Sequence, residues 1–193
     1  MIVVAGEALV DMIPGLDVKD GASFVAVPGG SPFNVALALG RLGCQPRFLY
    51  GFSGDAFGRM LLEKLEDSGV DMSYCLLAEG LTTLGFVSEG PNGTPEYAFY
   101  TSGTAGCALS REQIPDALPA EIEAIHFGSF SLGIEPFGTA LEGMCQRESG
   151  KRFISLAPNI RPFLISDRKQ YEARMERFLG AADLVKASEE DLA

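Results

Sequence analysis

Gly29-Gly30-Ser31-Pro32-Phe33-Asn34, running directly into the apolar, helix-favouring stretch Val35 to Leu42, is the passage whose reading decides the rest of the chain. The two glycines let the backbone turn sharply and approach a ligand with no Cβ in the way. Pro32 suits the first turn of a helix, where its missing N–H has no partner to lose. Asn34 falls in that first turn, and its amide both donates and accepts hydrogen bonds, which suits a polyhydroxylated ligand better than a bare anion. Upstream, Asp11 stands at the end of the apolar run Ile2 to Leu9, read as the first buried strand. An acid at the carboxyl end of a strand sits where open α/β sheets bind their ligands.

Outward from this cradle, short β-rich runs alternate with helix-length segments. Phe48 to Phe52 reads as a strand. Gly58 to Ser68 reads as a helix with Leu61, Leu62 and Leu65 on one face and Gly69 as its stop. Ile122 to Phe127 and Phe153 to Leu156 read as further strands around the helix Glu135 to Ser149, and Leu184 to Lys186 opens one more. This alternation predicts a mostly parallel sheet between helices, a three-layer α/β sandwich. Two stretches break the rhythm: Val18 to Val27, and Thr83 to Tyr100, where Pro91-Asn92-Gly93 reads as a hairpin turn between alternating strands.

Composition narrows the function classes. The chain has 193 residues, 47% of them hydrophobic, enough for one domain with a sizeable core on the usual scale of roughly 100–200 residues per domain. Its net charge of −11 argues against a nucleic-acid partner, since phosphate backbones are met by basic surfaces. The start lacks a basic n-region and a long apolar run, and no stretch approaches the ~20 apolar residues of a membrane helix, so a cytoplasmic protein is expected. Cys44, Cys75, Cys107 and Cys145 are scattered without Cys-x-x-Cys pairing, and His126 is the only histidine, so neither a zinc site nor a disulfide framework is indicated. There is no Gly-x-Gly-x-x-Gly after the first strand and no Gly-x-x-x-x-Gly-Lys-Ser/Thr.

Gly29-Gly30-x-Pro32-x-Asn34-x-Ala36, with Gly43 and the later Gly54-Asp55-Ala56-Phe57-Gly58, resembles the first signature of the ribokinase-like (PfkB) carbohydrate kinases. The opening Val3 to Pro14, His126-Phe127-Gly128-Ser129, Pro158-Asn159-Ile160-Arg161-Pro162 and Val185-Lys186-Ala187-Ser188-Glu189-Glu190 point to the fructokinase and 2-keto-3-deoxygluconate kinase branch. The resemblance implies ATP-dependent phosphorylation of a sugar hydroxyl, with ATP and Mg2+ as cofactors. It also implies a single ribokinase-like domain over 1–193, with excursions near 12–27 and 83–104 forming a small β-lid over the sugar. Two lids would pair to make a homodimer. The family's catalytic aspartate lies in a Gly-Ala-Gly-Asp block, which this sequence does not contain. The chain is therefore expected to be an incomplete domain, truncated on its C-terminal side, carrying sugar binding without the catalytic base, with an unpaired sheet edge that invites association. The competing reading is a non-catalytic sugar-binding or dimerising module.

The resemblance implies a substrate site made of Asp11, Gly29, Gly30, Asn34, Tyr100 and Arg161, and nucleotide contacts from Asn159, Lys186 and Ser188. Each has a plainer alternative. Tyr97, Phe99 and Tyr100 could serve as cross-strand packing, with Tyr100 the expected ligand contact. Arg161 could clamp a carboxylate or phosphate or make a surface ion pair. Ser188 with Glu189, Glu190 and Asp191 reads as a helix N-cap followed by acids, or as a contact to ATP and magnesium. His126 reads as structural. Thr101, Gly106, Ala157 and Ser53 depart from the family pattern, three of them by losing a charge, and leave the sugar preference open.

Overall fold

The computed structural model describes residues 1–16, 18–90 and 95–192. The Pro91-Asn92-Gly93 turn lies outside the described residues. In chain order the elements are β1 (Ile2–Ala5), β2 (Leu9–Pro14), β3 (Phe24–Gly29), α1 (Ser31–Arg41), β4 (Arg47–Phe52), α2 (Ala56–Asp67), β5 (Cys75–Leu77), β6 (Leu84–Glu89) and β7 (Pro95–Tyr100). They continue with β8 (Ala124–Gly128), α3 (Phe137–Glu148), β9 (Phe153–Ala157), α4 (Arg168–Ala181) and β10 (Leu184–Val185). Six strands form a parallel sheet in the order β10-β9-β8-β1-β4-β5. The register shows that both faces are covered. Val4 lies level with Phe48, and Ala5 with Phe127, so Phe48 and Phe127 point to opposite sides. Phe33 of α1 meets Phe48 edge-on at 6.1 Å, while Phe178 of α4 meets Phe127 edge-on at 5.4 Å. Helices thus flank a parallel sheet, as the alternation predicts. No described helix is long and apolar enough to cross a membrane.

The apolar run Ile2 to Leu9 is not one strand. β1 stops at Ala5, and the chain crosses through Gly6, Glu7 and Ala8 into a second, four-stranded sheet ordered β3-β2-β6-β7. Gly6 takes φ +150°, which side chains rarely adopt, and a Cβ there would come within 3.0 Å of the Gly128 carbonyl oxygen. Periodicity alone does not separate one long buried strand from two short ones in different sheets, because Glu7 is the only polar residue in the run. Asp11 therefore belongs to the second sheet, level with Val27 of β3 and Gly85 of β6.

Two glycines hold the helix pair against this frame. Gly40 of α1 carries no side chain because a Cβ would drive into the Ser68 carbonyl after α2, and Gly69 closes α2 at φ +74°. The α2 helix starts earlier than Gly58, at Ala56, because Asp55 caps it by accepting the Gly58 N–H at 2.7 Å. The same carboxylate accepts the Thr82 N–H at 2.8 Å and the Thr82 hydroxyl at 2.7 Å, tying the entry of β6 to the helix.

Burial works to raise the Asp55 carboxyl, but the Thr82 hydroxyl and the Gly58 and Thr82 N–H donors outweigh it and bring the pKa to about 2. A depressed folded-state pKa gives stability that is full above the ordinary aspartate value of 3.8 and lost as pH falls toward 2. The Asp55→Asn variant should lower the melting temperature at pH 7 and flatten its fall between about pH 4 and 2. Identical pH profiles for the two proteins by circular dichroism would contradict this role.

Candidate functional site

A cleft of about 540 Å3 opens between the two sheets, a volume suited to a small ligand. Asp11, Gly30 and Asn34 line one side, and Asn159 and Arg161 line the other. The register explains how Asp11 arrives there. Asp11, Gly85 and Phe99 lie level on β2, β6 and β7, so their side chains share one face of the second sheet. Gly85 leaves room, since a Cβ there would come within 2.9 Å of Asp11 Oδ1, and a Cβ at Gly29 would strike Oδ2. The Asp11 carboxylate accepts no hydrogen bond among the described residues, and partial burial raises its pKa. The cradle holds Asn34 by its backbone, whose N–H donates to the Gly30 carbonyl at 2.9 Å, leaving the exposed side-chain amide for other partners.

Across the cleft, Asn159 adopts φ +43° and donates from Nδ2 to the Ser129 hydroxyl at 2.9 Å. Arg161 is half-buried, and its Nη1 donates to the Ile160 carbonyl at 3.0 Å. Arg161 is the only cationic side chain on the cleft wall among the described residues, and the acids Glu7 and Asp11 line the same cleft. The rest of the wall is mainly apolar, with Leu9, Val35 and Ala38 beside an aromatic group: Tyr97 and Phe99 stack at 6.0 Å, and Phe99 packs on Phe130 at 5.7 Å and on Phe163 at 5.9 Å. One donor-acceptor rim and one apolar wall suit a ligand with both hydroxyl edges and C–H faces.

Tyr100 is not part of this cleft. One residue past Phe99, its ring turns to the opposite face of the second sheet, 5.6 Å from Phe86, in a separate groove with Asp55 and Thr82. Tyr97 and Phe99 take the place expected of it. Asn159, expected on the nucleotide side, stands in the cleft with Arg161. Lys186 and Ser188 lie beyond β10 and do not line the cleft. The Lys186 N–H continues the sheet by donating to the Leu156 carbonyl. Ser188 is occupied with Asp191: its hydroxyl accepts the Asp191 N–H at 3.1 Å and its own N–H donates to Asp191 Oδ2 at 2.8 Å. His126 pairs through Nδ1 with the Ser155 hydroxyl at 3.0 Å, and burial lowers its pKa to about 4, which keeps the ring neutral. Glu7, Ser129 and Phe130 are absent from the site residues expected from the sequence, although Ser129 closes one of the family-like blocks; for Glu7 the signal available is an acid directly after a glycine at the end of a buried strand.

Residues 1–193 match the pfkB family of carbohydrate kinases. A fructokinase of Rhizobium leguminosarum bv. trifolii is 43% identical over 192 residues, covering all of this chain and 58% of that protein. The crystal structure of a fructokinase from Xylella fastidiosa superposes with a TM-score of 0.90 at 29% identity, over 99% of this chain and 60% of the other. A Vibrio cholerae fructokinase in a form with bound fructose, ADP and calcium ion superposes with a TM-score of 0.84 at 28% identity, over 99% of this chain and 61% of the other. The chain thus spans about three fifths of the length of the relatives it matches.

The closeness of the cradle to the crossing from β1 to β2 is testable. Gly30 takes φ +110°, and a Cβ there would lie 2.7 Å from the Glu7 carbonyl oxygen, whereas a Cβ at Gly54 meets nothing within 4 Å. Gly30→Ala should lower unfolding stability by about 1–3 kcal/mol in urea titrations, and Gly54→Ala by well under that. Equal effects would show that the cradle is not held against the crossing.

Proposed function

The chain belongs to the pfkB family of carbohydrate kinases, and on that footing we propose that it forms the sugar-binding part of a fructokinase-like ATP:sugar phosphotransferase. The observation that carries this reading is the convergence of Asp11, Gly30, Asn34 and Arg161 on one cleft from three separate segments of the chain: β2, the start of α1 and the loop after β9. Asp11, with both carboxylate oxygens free among the described residues, accepts hydrogen bonds from adjacent hydroxyls of a ketose or a sugar acid. Asn34 fixes a further hydroxyl, and the bare backbone at Gly30 lets the ring approach. Arg161 supplies the one positive charge, which suits a sugar carboxylate or the phosphoryl group. Tyr97 and Phe99 cover the apolar side of the ring and exclude water.

The second sheet, spanning residues near 12–27 and 83–104, acts in this reading as the lid over the sugar. Its outer groove, with Phe86 and Tyr100, is the surface by which two copies pair. ATP is the phosphoryl donor, and Lys186 and Ser188 are its candidates among these residues. No group of three or more potential ligands that could hold a metal ion occurs among the described residues, and the Asp191 carboxylate is already taken by the Ile160 N–H at 2.6 Å and by Ser188, so no magnesium contact is assigned to it. The sequence has no Gly-Ala-Gly-Asp block, so proton transfer from the sugar is assigned to none of these residues.

Calorimetric titration of fructose and 2-keto-3-deoxygluconate should show one of them binding to the native chain and at least about tenfold weaker binding to Asp11→Ala and Asn34→Ala, as the loss of a charged or amide partner costs on the order of 1–3 kcal/mol. ADP release by these residues alone should stay at background. Equal binding by all three proteins would refute the cleft assignment, and turnover by this chain would overturn the statement about the base.

A further inference from the structure

Glu7 is a carboxylate with 1% of its surface exposed, placed in the crossing between the two sheets and reaching the floor of the cleft. No cationic side chain pairs with it among the described residues. Its Oε1 accepts the Ser31 N–H at 3.3 Å, in the first turn of α1. Its Oε2 accepts the Ser131 hydroxyl at 2.6 Å and the Ser131 N–H at 3.4 Å, in the turn after β8. Both ends of this bridge lead to the cleft. Ser31 precedes Asn34 by less than one helical turn, and Ser129, two residues before Ser131, holds Asn159 and through it the loop that carries Arg161. Ser129 itself sits at φ +65°, a conformation that a non-glycine residue keeps only when its surroundings fix it. A buried carboxylate without a counter-ion is costly unless its lone pairs are taken, so the arrangement holds best when both donor segments stay in place.

We propose that Glu7 is a positioning residue for the ligand: it locks the Gly30–Asn34 cradle and the Ser129–Arg161 wall into one register, acting on bound sugar through those two walls. The proposal rests on the sugar-kinase reading for the identity of the ligand, while the bridge itself stands on the geometry alone. Glu7→Ala removes all three acceptor contacts. Glu7→Gln keeps an acceptor for the Ser31 N–H and offers the Ser131 hydroxyl, which can turn to accept, a donor in place of an acceptor; it gives up only the Ser131 N–H contact, the longest of the three at 3.4 Å. Ser131→Ala removes the short hydroxyl contact of one arm, keeps the longer N–H contact and leaves the carboxylate in place, which keeps the question open to test even where Glu7→Ala does not fold.

The experiment uses the intact protein and two readouts. Fructose titration should show Glu7→Ala binding at least tenfold more weakly than native, Ser131→Ala intermediate, and Glu7→Gln recovering to within about threefold. Hydrogen exchange without ligand should show faster amide exchange in both residues 31–36 and 129–133 in Glu7→Ala and Ser131→Ala, with the far side of the core near β5 unchanged. Native-like affinity in Glu7→Ala, or loss of protection in one segment only, overturns the proposal. If the native protein takes neither fructose nor 2-keto-3-deoxygluconate, the functional reading fails on its own, and the exchange experiment still decides the bridge.

Discussion

The structure depends on three residues, Gly6, Glu7 and Ala8, that carry the chain from the central sheet into the second one. Ala5 ends a strand paired on both sides, and Leu9 begins another in a different sheet, so the crossing has no room for error. Gly6 lies under the Gly128 carbonyl and Pro32, and the Glu7 carbonyl lies under Gly30. The cradle, the turn after β8 and the start of β2 therefore pack on one point. Close packing transmits any change there to all three, since interiors are filled to near-crystal density.

From that crossing the chemistry follows by register. Once β2 pairs with β3 and β6, alternation fixes Asp11 and Phe99 on the cleft face, and the glycines at 29 and 85 clear space for the carboxylate. On the other face Phe24, Phe86 and Tyr100 form an edge-to-face series. A slip of one residue would exchange the two faces. The central sheet supplies the opposite wall from the ends of β8 and β9, where Ser129 and Asn159 both take positive φ and meet by a hydrogen bond.

Much of this was legible in the sequence where the signal is local. The Gly-Gly-x-Pro-x-Asn turn states its own geometry through backbone chemistry, and the helix of Val35 to Leu42 follows from its apolar content. The alternation of short apolar runs and helical stripes gave the parallel sheet between helices. What stayed hidden depends on long-range pairing. Where the run Ile2 to Leu9 changes sheets is set by what Gly6 packs against, which periodicity does not encode. Whether Tyr97 and Phe99 or Tyr100 face the cleft is set by register with β6. The α2 start was read two residues late because Asp55 looks like part of a glycine-rich loop until Thr82 is brought to it. Arg168–Ala181 is dense in charge, and its buried stripe of Tyr171, Met175 and Phe178 shows as a core face only once β8 is beside it.

The most direct test of the account is a crystal structure of the protein grown with fructose. The account predicts electron density for the sugar between the two sheets, with hydroxyls within hydrogen-bonding distance of the Asp11 carboxylate and the Asn34 amide and the ring against Tyr97 and Phe99. Sugar bound in the outer groove beside Tyr100 and Asp55, with the inner cleft holding only water, would contradict it.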